Sequence, residues 1–183
     1  MFKIHGNVLS REQCAEIIAN AQDFEYDILK KDIVEQDVTY DKETLDANTI
    51  EQTHEDSFSH RKVAQSPIEP IFKEWEGLPV YRCKVMKYET GDFVRSHRDA
   101  QWMCMSNYWE PNTNKSSESV MIIPLNDDYE GGEFTVNNVN VDQRVGDVIQ
   151  VPCDALDRES NPTHGVRPVT RGTRYSLVFW NFK

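Results

Sequence analysis

Two histidines, one aspartate and one arginine in the second half of this 183-residue chain have the types and spacings to do chemistry together. The first group is His97-Arg98-Asp99. In an extended strand, residues two apart share a face, so His97 and Asp99 can aim together while Arg98 points away. An imidazole and a carboxylate on one face are two corners of a mixed nitrogen and oxygen metal site. On its own, the triplet is more simply a surface His–Asp pair at a loop. His164 follows in Pro162-Thr163-His164-Gly165-Val166, at the start of an apolar run. Its plain alternative is a strand-end histidine hydrogen-bonded to backbone. His5, His54 and His60 lack a comparable strand context.

Two histidines and one carboxylate on a face, with the remaining positions open, form a ligand set that suits Fe(II) and its reactions with O2. Arg174 adds an anion site. The stretch 168–174 predicts a hairpin turning near 170–172, which sets Arg174 roughly opposite Pro168. His164 then lies four residues along the partner strand, about 13 Å away at the usual rise per residue. That gap suits a small dicarboxylate, one end on the metal and the other on the guanidinium fork. A surface strand arginine is the common alternative. Against it, parity puts Arg174 on the face of Ser176, Val178 and Trp180, a series with the look of an interior.

These side chains need elements to hold them. From Val80 onward the chain shows short alternating runs at 81–88, 93–98, 120–125, 133–137, 147–151, 165–169 and 174–182, punctuated by Gly91, Gly131-Gly132, Gly146 and Gly172. That pattern predicts an antiparallel β sandwich or barrel. Upstream, Ser10 is a good N-cap and Gln13 completes a capping box for a helix over 10–21, with Cys14, Ile17, Ile18 and Ala21 on its apolar face. Ser66-Pro67 opens a second predicted helix carrying Ile68, Ile71, Phe72 and Trp75. Between them we expect a strand near 33–40 and a mobile segment over 41–60. With no repeat and no linker, the chain divides into one domain: a helical support region, 1–79, and a catalytic core, 80–183.

Composition bounds the partners. The chain carries 31 acids against 20 bases, a net charge of −11, with 38% hydrophobic residues and a mean hydropathy of −0.66. Such a surface disfavours non-specific nucleic-acid binding or an anionic membrane, since both need a surplus of Lys and Arg. The charge is uneven: residues 1–60 hold 14 acids and 5 bases, whereas residues 157–183 hold 2 and 5. The basic end contains Arg158, Arg167, Arg171 and Arg174. The four cysteines, Cys14, Cys83, Cys104 and Cys153, have no short spacing, so a disulfide framework is not expected. Without a signal-like N-terminus or a membrane-length apolar run, the expectation is a cytoplasmic protein, monomeric or homodimeric.

Together the residues carry a family resemblance. Tyr88-x-x-Gly91, His97-x-Asp99, Leu125-Asn126, Tyr129-Glu130-Gly131-Gly132-Glu133-Phe134, Gly146-Asp147 and His164-Gly165-Val166-x-Pro168-Val169-x-x-Gly172-x-Arg174-Tyr175-Ser176-Leu177 stand in one order. This order resembles the prolyl 4-hydroxylase-like branch of the 2-oxoglutarate- and Fe(II)-dependent dioxygenases, from about residue 80 to the C-terminus. The resemblance implies a mainly β fold, a double-stranded β-helix or jelly roll backed by N-terminal helices. It implies Fe(II) on His97, Asp99 and His164, and 2-oxoglutarate on Arg174 with help from Tyr88 and Ser176. O2 is the oxidant, 2-oxoglutarate becomes succinate and CO2, and L-ascorbate is a candidate reductant.

The substrate implied is an aliphatic C–H, foremost a prolyl residue in a peptide or protein. A free amino acid or other small molecule is the alternative, a nucleobase is disfavoured by the charge, and a binding module without turnover is the non-enzymatic option. Trp180 matches a substrate-side tryptophan, with core packing as an equal alternative. Trp102, with Tyr108 and Trp109 in the 101–119 loop, is an aromatic cluster for gripping a peptide or for folding onto the jelly roll. Three departures stand out: arginine rather than lysine at 174, Phe134 in place of a frequent threonine, and a longer 153–163 stretch that could be a substrate or lid loop.

Overall fold

Alternating apolar residues with turn residues between them form strands here, and the strands pair by curling back on one another. The computed structural model describes residues 1–24, 26–32, 57–64, 71–98, 117–153 and 161–182. In order, the elements are β1 (Lys3–His5), α1 (Arg11–Ala21), β2 (Tyr26–Asp32), β3 (Ser57–Ala64), β4 (Glu74–Trp75), β5 (Leu78–Tyr88), β6 (Phe93–His97), β7 (Ser117–Pro124), β8 (Glu130–Gly131), β9 (Phe134–Val136), β10 (Val139–Asn140), β11 (Val148–Pro152), β12 (His164–Val166), β13 (Val169–Arg171) and β14 (Arg174–Phe182).

One antiparallel path runs β1-β11-β7-β14-β5-β3-β6-β12-β9-β10. The joint is β3, which pairs with β5 at Lys62 and Val63 and with β6 at Ser59 and His60. It therefore divides the path into two walls, β1-β11-β7-β14-β5 and β6-β12-β9-β10. This is the mainly β jelly roll that the sequence predicts.

The central strand β14 shows how the walls are packed. Tyr175, Leu177 and Phe179 lie in a buried cluster with Val85, Met121, Ile123 and the α1 residues Cys14 and Ala21. Val178 belongs to a second cluster with Met86, Tyr88, Val120 and Ile122. Period-two alternation thus gives one face to the helix and the other to the interior between the walls. Helix α1 starts where expected: Ser10 Oγ accepts from the Gln13 backbone N–H at 3.2 Å, and Gln13 Oε1 accepts from the Ser10 N–H at 2.9 Å. No described helix is long and apolar enough to cross a membrane.

The N-terminal part differs from the helical support region expected over 1–79. Among the described residues it holds one helix, α1, four strands, β1 to β4, and the start of β5. The second predicted helix fails where it can be judged. Glu74–Trp75 is a strand that pairs with the start of β5, across a turn in which Glu76 (φ 50°) and Gly77 (φ 77°) are left-handed. Two consecutive left-handed residues make a tight hairpin and end any helix. Phe72 and Trp75 reach an apolar surface by another route, each ring packing against Phe179 at centroid distances of 5.6 and 6.1 Å.

The strand expected near 33–40 lies outside the described residues, with β2 just before it. Residues 41–56 of the expected mobile segment also lie outside them, and its last four, Ser57 to His60, belong to β3 instead. The run 165–169 is split into β12 and β13, because Pro168 has no N–H to continue a ladder. Cys14, Cys83 and Cys153 are buried free thiols, and burial pushes Cys83 up to about 12; Cys104 lies outside the described residues.

The cap makes a direct stability prediction. Ser10→Ala removes the acceptor for the Gln13 N–H and should lower the unfolding free energy by about 1 kcal/mol in urea titrations. An unchanged midpoint would show that α1 is held by packing alone.

Candidate active site

His97 ends β6 and His164 begins β12, and the two are direct cross-strand partners. Their rings lie 4.5 Å apart between centroids with a 48° interplanar angle, and both residues are buried. The pairing is bulged between His164 and Val166, and Gly165 is the reason it can close. A Cβ at Gly165 would stand 2.7 Å from the Val94 carbonyl oxygen and 2.9 Å from the Ser96 nitrogen, both in β6. No side chain fits there. The His97 Nδ1 is 2.8 Å from the Arg95 carbonyl oxygen. A carbonyl can only accept, so Nδ1 carries the proton and Nε2 is the basic nitrogen, the tautomer suited to metal ligation.

Asp99, the third member of the expected set, lies outside the described residues. Among the described residues there is no cluster of three metal-binding side chains. The two histidines supply two neighbouring imidazoles.

Arg174 opens β14 on the other wall, opposite Tyr88 of β5. It is fully buried, at 0% exposure. Its guanidinium carbon lies 5.1 Å from the Tyr88 ring centroid, and Nη1 donates to Ser176 Oγ at 3.1 Å. Nε and Nη2 are buried and have no hydrogen-bond partner among the described residues. A desolvated cation without a counter-ion costs several kcal/mol, and two adjacent idle donors match the fork geometry of a carboxylate. A cavity of about 90 Å³ joins the two walls and is lined by His97, His164, Arg174, Ser176, Tyr88 and the apolar side chains of Ile122 and Val178. Imidazoles at one wall and an unpartnered guanidinium at the other are a donor set that fits a metal ion and a small dicarboxylate.

The hairpin expected over 168–174 is not formed. β13 pairs with β8, placing Val169 opposite Gly131, while β14 pairs with β5 and β7. Gly172, left-handed at φ 81°, lets the chain leave the small sheet and enter the large one. His164 and Arg174 consequently meet across a cavity rather than along one hairpin. The parity argument for Arg174, Ser176, Val178 and Trp180 agrees with the structure, since all four line the cavity. Trp180 is half-buried and also packs against the interior cluster. Phe134 sits with its ring 6.1 Å from that of His164.

Trp102, Tyr108, Trp109 and residues 154–160 lie outside the described residues, as does Arg158. The remaining arginines of the basic end have surface partners: Arg167 donates to Asn140 Oδ1 at 2.9 Å, and Arg171 pairs with Glu130.

Two residues that hold Arg174 gave no chemical signal in the sequence. Asn126 donates through Nδ2 to the Thr173 carbonyl at 2.7 Å and accepts through Oδ1 from the Tyr175 N–H at 2.7 Å, so its side chain brackets the arginine's backbone. Gly132 is left-handed, and a Cβ there would stand 3.1 Å from Arg174 Cδ and 2.9 Å from Val169 Cγ2. Both belong to the Leu125-Asn126 and Gly131-Gly132 motifs, and their residue types are the one visible hint.

The chain belongs to the 2OG-Fe(II) oxygenase superfamily, whose family model matches residues 83–182. A PKHD-type hydroxylase of Burkholderia ambifaria (strain MC40-6) is 32% identical over 105 residues, which cover 55% of this chain and 42% of that protein. The match therefore spans less than half the length of that curated relative. Among solved structures, a Pseudomonas putida prolyl-4-hydroxylase aligns with a TM-score of 0.58 at 14% identity, covering 98% of this chain and 91% of that one. The viral collagen prolyl hydroxylase of Paramecium Bursaria Chlorella virus-1, in its 2OG complex, aligns with a TM-score of 0.55 at 14% identity over 99% and 95% of the two chains. At such identities these neighbours establish the jelly-roll fold.

Gly165→Ala should separate β6 from β12 and lower the unfolding free energy by about 1–3 kcal/mol, the usual cost of overpacking. Wild-type stability in this variant would mean that the two strands are not held this close.

Proposed function

We propose that this chain is an Fe(II)- and 2-oxoglutarate-dependent dioxygenase that hydroxylates an aliphatic C–H, with a prolyl residue of a peptide as its leading substrate. The observation that carries the reading is Arg174, buried at 0% exposure with Nε and Nη2 unpartnered, in the same cavity as the His97–His164 pair. His97, Asp99 and His164 are the residues assigned to Fe(II). Arg174 is assigned to the distal carboxylate of 2-oxoglutarate.

Each assignment has a physical content in this chain. The His97 Nδ1–H held by the Arg95 carbonyl leaves the Nε2 lone pair free and limits rotation of the ring. Ser176 takes up Nη1, which leaves Nε and Nη2 as the two donors for a bidentate carboxylate. Tyr88 lies beneath the guanidinium and supports it through a cation–π contact. Ile122, Val178 and Met86 make the walls apolar, and the lower local dielectric strengthens charge-assisted bonds at Arg174. When bound, Fe(II) and 2-oxoglutarate supply the oxidising chemistry, in which O2 is consumed, 2-oxoglutarate is decarboxylated to succinate and CO2, and one oxygen atom reaches the substrate. L-Ascorbate is assigned as the reductant that maintains Fe(II).

The prolyl assignment is supported by the family resemblance and by the names of the relatives and fold neighbours. Trp180, half-buried at the cavity, and Trp102 are assigned to the substrate side. The acidic surface suits a peptide better than a nucleic acid.

The test is succinate formation by the purified chain with Fe(II) and 2-oxoglutarate, against proline-rich peptides and free amino acids, read as the mass gain of one oxygen. Hydroxylated peptide is the expected product. Oxygen gain confined to free amino acids would overturn the prolyl assignment, and no succinate under any condition would overturn the enzyme. His97→Ala should abolish turnover. Arg174→Ala should weaken 2-oxoglutarate binding by roughly 3–5 kcal/mol, since it leaves a buried carboxylate unpaired. Unchanged affinity would place the anchor elsewhere.

A further inference from the structure

The segment that delivers His164 into β12 is short of support from its own ladder. β12 has three residues, and its pairing with β6 is bulged between His164 and Val166. Its other neighbour, β9, ends at Val136 opposite His164. The next residue, Asn137, begins a two-residue turn into β10, with Asn137 at φ 49° and Asn138 at φ 61°. Asparagine is favoured there because it tolerates the left-handed region. The turn explains the backbone of Asn137 and leaves its side chain free for another task.

That side chain bonds through Oδ1 to Thr163, the residue just before His164. Asn137 Oδ1 accepts from the Thr163 N–H at 3.1 Å and from Thr163 Oγ1 at 3.3 Å, while the Asn137 N–H donates to the Thr163 carbonyl at 2.8 Å. Thr163 is 1% exposed while Asn137 lies at the surface, so the Thr163 donors are turned inward and the Asn137 side chain reaches them from outside. From the opposite side, Arg98 Nε donates to the Asn161 carbonyl at 2.8 Å. The approach to β12 is thus tied to the β9–β10 turn at one point and to the residue after His97 at another.

We propose that Asn137 is a positioning residue for the metal centre: its side chain continues the β9–β12 register by one step and fixes the backbone from which His164 projects. The proposal rests on the reading of His164 as a metal ligand. Nothing in the local sequence marks Asn137 as more than a turn former.

Asn137→Gly separates the two tasks. Glycine accepts the left-handed backbone and keeps the N–H, so the turn survives, but Oδ1 is gone. The full chain, freed of metal by a chelator and shown to be folded by circular dichroism, is titrated with Co(II). Loss of a partner bonded directly to a ligand commonly costs 10–100-fold in metal affinity. Asn137 acts one residue further out, through Thr163, so the variant should bind more weakly by about the low end of that range, tenfold, and with an altered visible spectrum. Asn137→Asp, which restores an acceptor, should recover both. A purely structural role would move the melting temperature and leave the Co(II) spectrum unchanged.

Affinity within about twofold of wild type in folded Asn137→Gly, against the 10–100-fold commonly seen, would overturn the proposal. Should that variant not fold, Thr163→Val removes only the Oγ1 bond; a loss of about threefold or more is expected, and wild-type affinity overturns the proposal. A His164→Ala control separates the two claims. If it binds Co(II) as well as wild type, or if wild type binds none, the metal-ligand reading falls and the proposal with it. If it loses Co(II) while the Asn137 and Thr163 variants do not, the positioning role alone is wrong.

Discussion

A guanidinium at 0% exposure with two of its three nitrogens unpartnered is the constraint on which the site depends. Burying a charge in this way is costly, and the surrounding fold has to hold it against its tendency to return to water. Arg174 is held from every side that the structure describes. Ser176 takes one nitrogen, the Tyr88 ring lies under the carbon, Gly132 leaves room for the side-chain methylenes, and Asn126 grips the backbone on both flanks. Two of its donors have no partner among the described residues, on a side chain that lines the small cavity.

The alternation of β14 carries this constraint into the rest of the fold. Because successive residues point to opposite faces, the strand that puts Arg174, Ser176 and Val178 into the cavity also puts Tyr175, Leu177 and Phe179 against α1 and its neighbours. Helix α1 thereby buries the outer face of the same wall whose inner face forms the site. The opposite wall meets a different demand, two imidazoles within 4.5 Å, and satisfies it with a glycine where β12 crosses β6. One wall is organised by charge burial and the other by backbone contact, and β3 joins them.

Features set by neighbouring residues are legible in the sequence. The Ser10–Gln13 capping box, the period-two face of β14 and the glycine punctuation all appear as expected. Pairings between distant segments were not legible. Phe72 and Trp75 have helical spacing, yet the consecutive left-handed Glu76 and Gly77 turn them into a hairpin, a choice that depends on β5 being available as a partner. The same holds for β13, adjacent in sequence to β14 but paired with β8. Histidine, aspartate and arginine announce their chemistry by type. Asn126 and Asn137 do not, because a side-chain amide that completes a strand register looks like any turn residue until the partner strand is placed.

The net charge of −11 also takes on a clearer meaning. Of the described arginines in the basic C-terminal stretch, Arg167 and Arg171 are engaged at the surface with Asn140 and Glu130, and Arg174 is the buried one. The central claim is that this residue and the histidine pair are two ends of one ligand site. A crystal structure of the chain with Mn(II) and 2-oxoglutarate, grown without O2, tests it most directly. The account predicts the metal on His97 and His164 with Asp99 as the third protein ligand, and a carboxylate of 2-oxoglutarate on Nε and Nη2 of Arg174. A metal bound by other residues, or 2-oxoglutarate bound away from Arg174, would contradict it.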